Sequence, residues 1–511
     1  MKKRVVFKPY IQNQASAFPP TFDEMIQANH PVRVVNTVIE GLNLDSLLVN
    51  YKGGGTSSYH PKMLLKVLVY SYLINIYSSR KMEAALQENI HFMWLSGMNT
   101  PDHNTLNRFR TDKLQGVLEQ VFTQVVIMLH EQGLLNLKQT YTDGTKIEAH
   151  ANRYTFVWGK SIKSSKERIE RQLQELWSYA QSIAKEELSD TAPLVFEQID
   201  PTVVEDTIAK IDTAIADKPV PPKVKQKINY VKKNFVDKLK KYEEQEQILK
   251  GRNSYSKTDP DATFMRMKDD HMRNSQLKPG YNCQISSSNQ FIVNYSLHHQ
   301  AVDYPTYIEH MHQYQKWYGF MPEVNTTDAG YGSEENLLFC KQEGITAFMK
   351  YNSFYTEQTK KHKQNRFLQA NLHYDPETDI LTCPVGKPMY NIGTRAKRTT
   401  SGFKQYITEY QPEGCASCPL KDNCFKAKSD RIVSMNHRLN NLKNEARNRL
   451  HSEEGIKHRR QRSIDVEPIF GNLKQNKKFK RFNLRGKSGT NIEFGLLAIA
   501  HNLKKMAKIS N

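Results

Sequence analysis

The chain has 511 residues, 38% of them hydrophobic, and its 73 Lys and Arg outnumber 53 Asp and Glu to give a formal net charge of +20. That length accommodates about three domains with sizeable cores, and the hydrophobic fraction fits a soluble protein. So large an excess of cations repels itself unless a polyanion screens it, which favours nucleic acid over a membrane as partner.

The N-terminal stretch MKKRVVFKPYIQNQ is basic with no apolar run behind it, so a signal peptide is not expected. Residues 21–135 read as helical. The longest apolar run, Met63 to Tyr77, is interrupted by Lys66, Ser71 and Asn75; it is too short to span a bilayer and reads as a core helix. A second helix is expected after Asp102, a plausible N-cap, and a third over Leu114 to Gln132. Arg108 and Arg110 on the second of these leave two readings open, part of a helix-turn-helix or an all-helical core with solvated charges.

After Gly133 the pattern alternates. Thr140 to Asp143 is expected as a strand, Gly144 as a tight turn, and Lys146 to His150 as the returning strand. From about Lys160 to Gly251 apolar residues recur every three or four positions on either side of Pro219 to Pro222, predicting an antiparallel helical hairpin inserted in another domain. Strands are expected at Tyr281 to Ile285 and Gln290 to Leu297, joined by a Ser-Ser-Ser-Asn turn. A helix over Tyr304 to Trp317 precedes a strand, Glu323 to Thr327, that runs into Asp328; Ser333 then caps a helix, and Ile345 to Met349 is a further strand. This order is that of an α/β protein with a mixed sheet and helices packed upon it. Residues 350–435 read as a basic, loop-rich interruption, and the chain closes with an apolar helix from Glu493 to Met506.

Three acids stand out. Asp143 and Asp328 each precede or adjoin glycine at an expected strand end, and Glu467 lies within the densest run of Lys and Arg, residues 459–487. Brought together, three carboxylates repel unless cations lie between them, and oxygen donors suit Mg²⁺ or Mn²⁺. Two such ions, about 3.5 to 4 Å apart, activate a water or 3′-hydroxyl for in-line attack at phosphorus. The other reading is of two turn aspartates and a helix-capping glutamate. Lys474 lies seven residues after Glu467, within about 20° on the same helical face. Pro468 requires either that a helix begins near Glu467 or that one kinks there. Lys477, Lys478, Lys480, Arg481, Arg485 and Lys487, interleaved with Phe479 and Phe482, are suited to DNA phosphates. Trp158 either stacks on an unpaired base or, the preferred reading, belongs to a core. Cys383, Cys415, Cys418 and Cys424 are enough for a tetrahedral zinc site, free thiols being the alternative, whereas Cys283 and Cys340 read as buried. Six cysteines without an export signal point to the reducing cytoplasm.

The stretches Thr142-Asp143-Gly144-Thr145-Lys146-Ile147-Glu148-Ala149, Thr327-Asp328-Ala329-Gly330-Tyr331 and Val466-Glu467-Pro468-Ile469-Phe470-Gly471-Asn472-Leu473-Lys474 resemble the DDE transposases of bacterial insertion sequences, and look closest to the branch numbered eleven eighty-two. The resemblance implies a helical N-terminal DNA-binding domain, residues 1–135, and a ribonuclease-H-like catalytic domain, 136–511, with a helical-hairpin insertion at 160–275 and a cysteine-bearing one at 350–435. It implies that Asp143, Asp328 and Glu467 bind two Mg²⁺ or Mn²⁺ ions and that the enzyme cuts and joins double-stranded DNA, at its element's terminal inverted repeats and at a target, as a homodimer. The family signature places a tyrosine and an arginine before the glutamate and a lysine seven after it. Lys474 fits; upstream stand Arg459, Arg460 and Arg462 without a tyrosine, and Arg462 is the preferred arginine. A metal nuclease of the same fold and an inactive DNA-binding repressor are the rival functions.

Overall fold

The computed structural model describes residues 12, 18–49, 51, 57–184, 200–267 and 276–509. Apart from Gln12, the basic N-terminal stretch lies outside them, as do 185–199 and 268–275 of the expected hairpin insertion. The chain divides into two compact units, Met1–Leu134 with Phe494–Asn511, and Leu135–Glu493. Among the described residues no helix is long and apolar enough to cross a membrane.

The first unit is helical: α1 (Phe22–Met25), α2 (Pro31–Gly41), α3 (Asp45–Leu48), α4 (Pro61–Leu73), α5 (Ser79–Glu88), α6 (Ile90–Ser96), α7 (His103–Arg108) and α8 (Leu118–Glu131). Two of these helices start alike. His30 and His60 each accept the N–H two residues on, at 3.2 Å, and Pro31 and Pro61 follow at the first helical position, where a missing N–H costs nothing. The run from residue 63 is core as expected, with α4 buried over most of its length. Asp102 caps α7, accepting from Thr105 N at 2.8 Å. The structure separates the two arginines. Arg108 is exposed, but Arg110 is buried and donates to Tyr77 O at 3.0 Å and Asn107 Oδ1 at 2.9 Å, so it holds the helical core and does not face a DNA groove.

In the second unit β1 (Gln139–Glu148) is one continuous strand, so Gly144 is not a turn. It is glycine for another reason: a Cβ there would collide with the Gln284 side chain and lie 2.8 Å from Asp303 Oδ1. After β2 (Phe156–Trp158), the expected hairpin is, among the described residues, three helices, α9 (Gly159–Ile183), α10 (Pro201–Ile215) and α11 (Pro222–Leu249). Their apolar stripes meet in a separate core around Leu173, Trp177, Val204, Ile211, Val231 and Phe235. Then come β3 (Ser254–Ser256), paired with β2, followed by β4 (Thr263–Arg266), β5 (Leu277–Ser288) and β6 (Phe291–His298). The β5–β6 turn falls at Asn289 and Gln290, both left-handed (φ 50° and 59°), the conformation that suits a tight hairpin. The serines expected in the turn belong to β5 instead, where Ser286 meets Thr142 Oγ1 at 2.8 Å and Ser287 donates to Asp465 at 2.6 Å.

Next are α12 (Tyr307–Tyr318), β7 (Val324–Gly332), α13 (Glu334–Gln342), capped by Ser333 as expected, and β8 (Thr346–Tyr351). The main sheet has the order β4-β5-β1-β7-β8, with β6 also on β5. β1 and β5 are antiparallel, while β1, β7 and β8 run parallel. This mixed α/β sheet is consistent with a ribonuclease-H-like DDE domain. β5 and β6 are buried almost throughout, as strands with both faces covered must be.

The segment expected to be loop-rich is a second sheet. After α14 (Lys360–Gln364), the strands β9 (His373–Asp375), β10 (Ile380–Thr382), β11 (Pro388–Arg398), β12 (Lys404–Pro412) and, past α15 (Lys421–Cys424), β13 (Val433–Met435) pair in the order β13-β12-β11-β10-β9. The lack of an apolar alternation hid it: β11 is exposed at all but one position. The chain ends with α16 (His437–His451), α17 (Glu453–Asp465), α18 (Glu467–Gly471), a π-helical turn over Asn472–Asn476, and α19 (Gly486–Ile509).

Candidate active site

The sheet register aligns the first two acids. β1 and β7 pair in parallel from Gln139 with Val324 to Tyr141 with Thr326 and then part; continued two residues further, that register sets Asp143 level with Asp328. β7 also leaves its regular pairing with β8 between Thr327 and Gly332, so Asp328 begins a bulge. Gly330 N–H donates to Asp328 Oδ1 at 2.8 Å, and Gly144 N–H to Asp143 Oδ1 at 2.8 Å.

The third acid arrives on α17 and α18. The buried side of α17 is Gly455, His458, Arg462 and Asp465, a stripe at helical spacing that packs against β1, β7 and β8. The His458 ring stacks on Phe348, centroids 4.4 Å apart, and its Nδ1 lies 3.3 Å from the Tyr141 hydroxyl. Asp465 accepts from Ser287 Oγ at 2.6 Å and from Gln290 N at 3.1 Å, tying the end of α17 to the β5–β6 hairpin. Between these anchors Arg462 Nη1 donates to Asp143 Oδ2 at 3.0 Å, and its Nη2 stands 3.5 Å from Glu467 Oε1. The Asp143 side chain is 12% exposed and that of Glu467 54%, so the pair spans from the sheet interior to an open face. Because strand side chains alternate, Tyr141 and Asp143 both face α17. The proline question resolves here as well: α17 stops at Asp465, and α18 restarts at Glu467 with Pro468 in its first turn, where proline is tolerated.

One carboxylate at this site escaped the sequence reading. Asp303, just before α12, accepts from Asn282 Nδ2 at 2.8 Å and Gln284 Nε2 at 3.0 Å. A Cβ on Gly330 would lie 3.2 Å from Asp303 Oδ2 and 3.1 Å from Asp328 Oδ1, so the two carboxylates border one space beside this glycine. Tyr331, fully buried, donates to Gln284. Burial, then the negative charges of Asp143, Asp303 and Asp328, push its hydroxyl well above the usual range and keep it protonated. No local signal marks Asp303, since neither glycine nor a strand end adjoins it in the chain.

Lys474 sits buried in the π-helical turn, so the even helical spacing assumed between it and Glu467 does not hold. Burial raises the Cys283 thiol, and the nearby Lys474 charge opposes this. Of the six basic residues expected to meet phosphates, Lys477 is buried. Lys478, Lys480, Arg481, Arg485 and Lys487 are exposed. Arg481 also donates to Ala149 O at 3.1 Å and Ala151 O at 3.0 Å, and Arg485 to His150 O at 2.9 Å, so these two fasten the end of β1 as well. Trp158 is half-buried against Phe156 and Phe264, ring centroids 5.9 and 6.0 Å away. Cys283 and Cys340 are buried, whereas Cys383, Cys415, Cys418 and Cys424 are partly exposed free thiols. Among the described residues no group of three His, Cys, Asp or Glu side chains stands ready to hold a metal ion.

No curated protein matches the chain. Residues 20–112 match the family model described as Transposase domain (DUF772), covering most of the first helical unit. Residues 382–507 match the one described as Transposase DDE domain, the segment that carries Arg462, Glu467 and Lys474. The two matches together support a DDE transposase, an enzyme family that acts on DNA and generally uses divalent metal ions.

Proposed function

We propose that this chain is the transposase of a bacterial insertion sequence, of the branch numbered eleven eighty-two, which cuts its element's ends from flanking DNA and joins them to a target by metal-dependent phosphoryl transfer. The observation that carries the reading is Arg462, in contact with both Asp143 and Glu467 while the β1–β7 register sets Asp328 level with Asp143. The residues fit a hard divalent cation: the donors are carboxylate oxygens, and a glycine cradle at Gly330 lies between Asp328 and Asp303. Asp143, Asp328 and Glu467 would hold Mg²⁺ or Mn²⁺, with Asp303 at the same cradle. A divalent ion held there would supply activation of a water or 3′-hydroxyl and stabilisation of the leaving oxygen.

The chain's own groups then have separate tasks. Arg462 offsets the charge of Asp143 and Glu467 and fixes their separation. Exposed Lys478, Lys480, Arg481, Arg485 and Lys487 grip phosphates of the terminal repeat close to Glu467 in the chain. Two element ends are processed together, so a homodimer on double-stranded DNA, in the bacterial cytoplasm, is the working form.

The test is a supercoiled plasmid carrying the element's inverted repeats, incubated with Mg²⁺. Wild type is expected to cut at the repeats and join the released ends, and Glu467→Gln to leave the plasmid intact. Equal cutting by both proteins would overturn the reading; cutting without joining would make this a nuclease, and repeat binding without cutting a repressor.

A further inference from the structure

We infer that Cys383, Cys415, Cys418 and Cys424 form a structural zinc site that closes one end of the second sheet. Cys383 is 32 residues from the nearest of the others in sequence, yet all four line a single small cavity of about 30 Å³. The topology explains the meeting. β11 and β12 pair Met389 with Pro412, so the turn that leads into β11 and the loop that leaves β12 emerge at the same sheet end.

Each side presents its sulfurs on turns. In Cys383-Pro-Val-Gly-Lys387, Cys383 N donates to Lys387 O and Gly386 N to Cys383 O, both at 2.9 Å, with Gly386 left-handed (φ 83°). Opposite it, Cys418 N donates to Cys415 O at 3.2 Å after the left-handed Gly414 (φ 67°), and Cys424 ends α15. A pair of such turns, one carrying a C-x₂-C, is how loops offer thiolates to a tetrahedral ion. The four cysteines line the cavity, and no three of them stand at metal-holding separation. Since all four lie outside the strands, drawing them together leaves the strand pairing of the second sheet intact.

Charge and stability point the same way. Four thiolates around Zn²⁺ leave a net charge of about −2, and cations in the surrounding shell offset it. Arg431, Lys387 and Lys421 line this cavity, and Arg431 Nη1 already donates to Cys424 Sγ at 3.0 Å. The loop also has no apolar core of its own: residues 413–432 contain no buried side chain, and the buried core of this sheet is Leu381, Met389, Tyr410, Val433 and Met435. So small a core is the usual setting for a metal staple.

Metal analysis tests this on the unaltered full-length chain, and the result does not depend on the catalytic reading. One zinc per chain is expected, released as a mercurial titrates the four thiols, and replacement by Co²⁺ should give the visible absorption of a tetrahedral thiolate site. Cys415→Ser with Cys418→Ser should lose the metal. Wild-type protein that carries no metal and takes up neither added Zn²⁺ nor Co²⁺ would overturn the site. So would zinc retained at full occupancy in the double variant, and an iron–sulfur chromophore would overturn the choice of zinc.

Discussion

Arg462 is the residue through which the candidate site reads as a unit, because one planar guanidinium reaches carboxylates that are 324 residues apart in the chain, on β1 and α18. Its fork geometry matters more than its charge. A lysine at this position carries one compact ammonium and cannot span two acids from one fixed plane. Arg462→Lys is therefore expected to slow strand cleavage roughly 10- to 100-fold, equivalent to about 1.4 to 2.7 kcal/mol of barrier. Binding to the terminal repeat should be unchanged; equal cleavage rates in a single-turnover assay would remove Arg462 from the site. The motif around Glu467 narrowed the expected arginine to three candidates, and of these Arg462 is the one that reaches both Asp143 and Glu467. Asp303 and Gly144 were not legible in the same way, since the need for glycine at 144 comes from Gln284 and Asp303 pressing on it from distant segments.

At the scale of elements, α13 links the two sheets through its first residue. Glu334, whose side chain is fully buried, accepts from Arg438 Nε at 2.5 Å, Asn436 Nδ2 at 2.6 Å and Gln405 Nε2 at 2.8 Å, which join β12 and the start of α16 to the end of β7. Removing the acid leaves a partly buried arginine and two amides without their acceptor. Glu334→Ala should destabilise the protein by about 3 kcal/mol, read as a lower urea midpoint, and raise proteolysis within residues 360–435 before the main sheet. A midpoint equal to wild type would show that this link contributes nothing. Helix starts at Asp102 and Ser333 were legible because a cap is a local bond between residues three apart. The second sheet was not, because a two-sided polar strand such as β11 has no apolar alternation to reveal it.

For the whole molecule, the excess positive charge predicts how DNA affinity responds to salt. Each phosphate contact contributes a slope of about −0.9 in log K against log salt. Replacing Lys478 and Lys480 together by alanine should reduce the slope by about 2, measured by anisotropy on a repeat duplex; an unchanged slope would place the DNA elsewhere. Stability should also depend on pH through His310, which burial pulls down to about 3 from 6.5, with the His298 charge acting in the same direction. Its folded pKa lies below its unfolded value, so as pH falls below 6.5 the unfolded chain takes up a proton that the folded one refuses. Stability is lost on acidification, by at most about 1.4 kcal/mol per pH unit from this group. The urea midpoint should fall between pH 7 and pH 5, and His310→Gln should flatten that fall; parallel profiles would exclude His310 as its source. What the sequence determined by itself was whatever is encoded locally or in bulk: the cationic excess, the caps at Asp102 and Ser333, and the strands β5 to β8 of the main sheet, with three acids and their motif neighbours marked as candidates. Tertiary structure alone decided which of these groups meet. The level of Asp143 with Asp328, the reach of Arg462, the arrival of Asp303 and the gathering of four cysteines all depend on strand register and helix docking, which are set by contacts between residues tens to hundreds of positions apart.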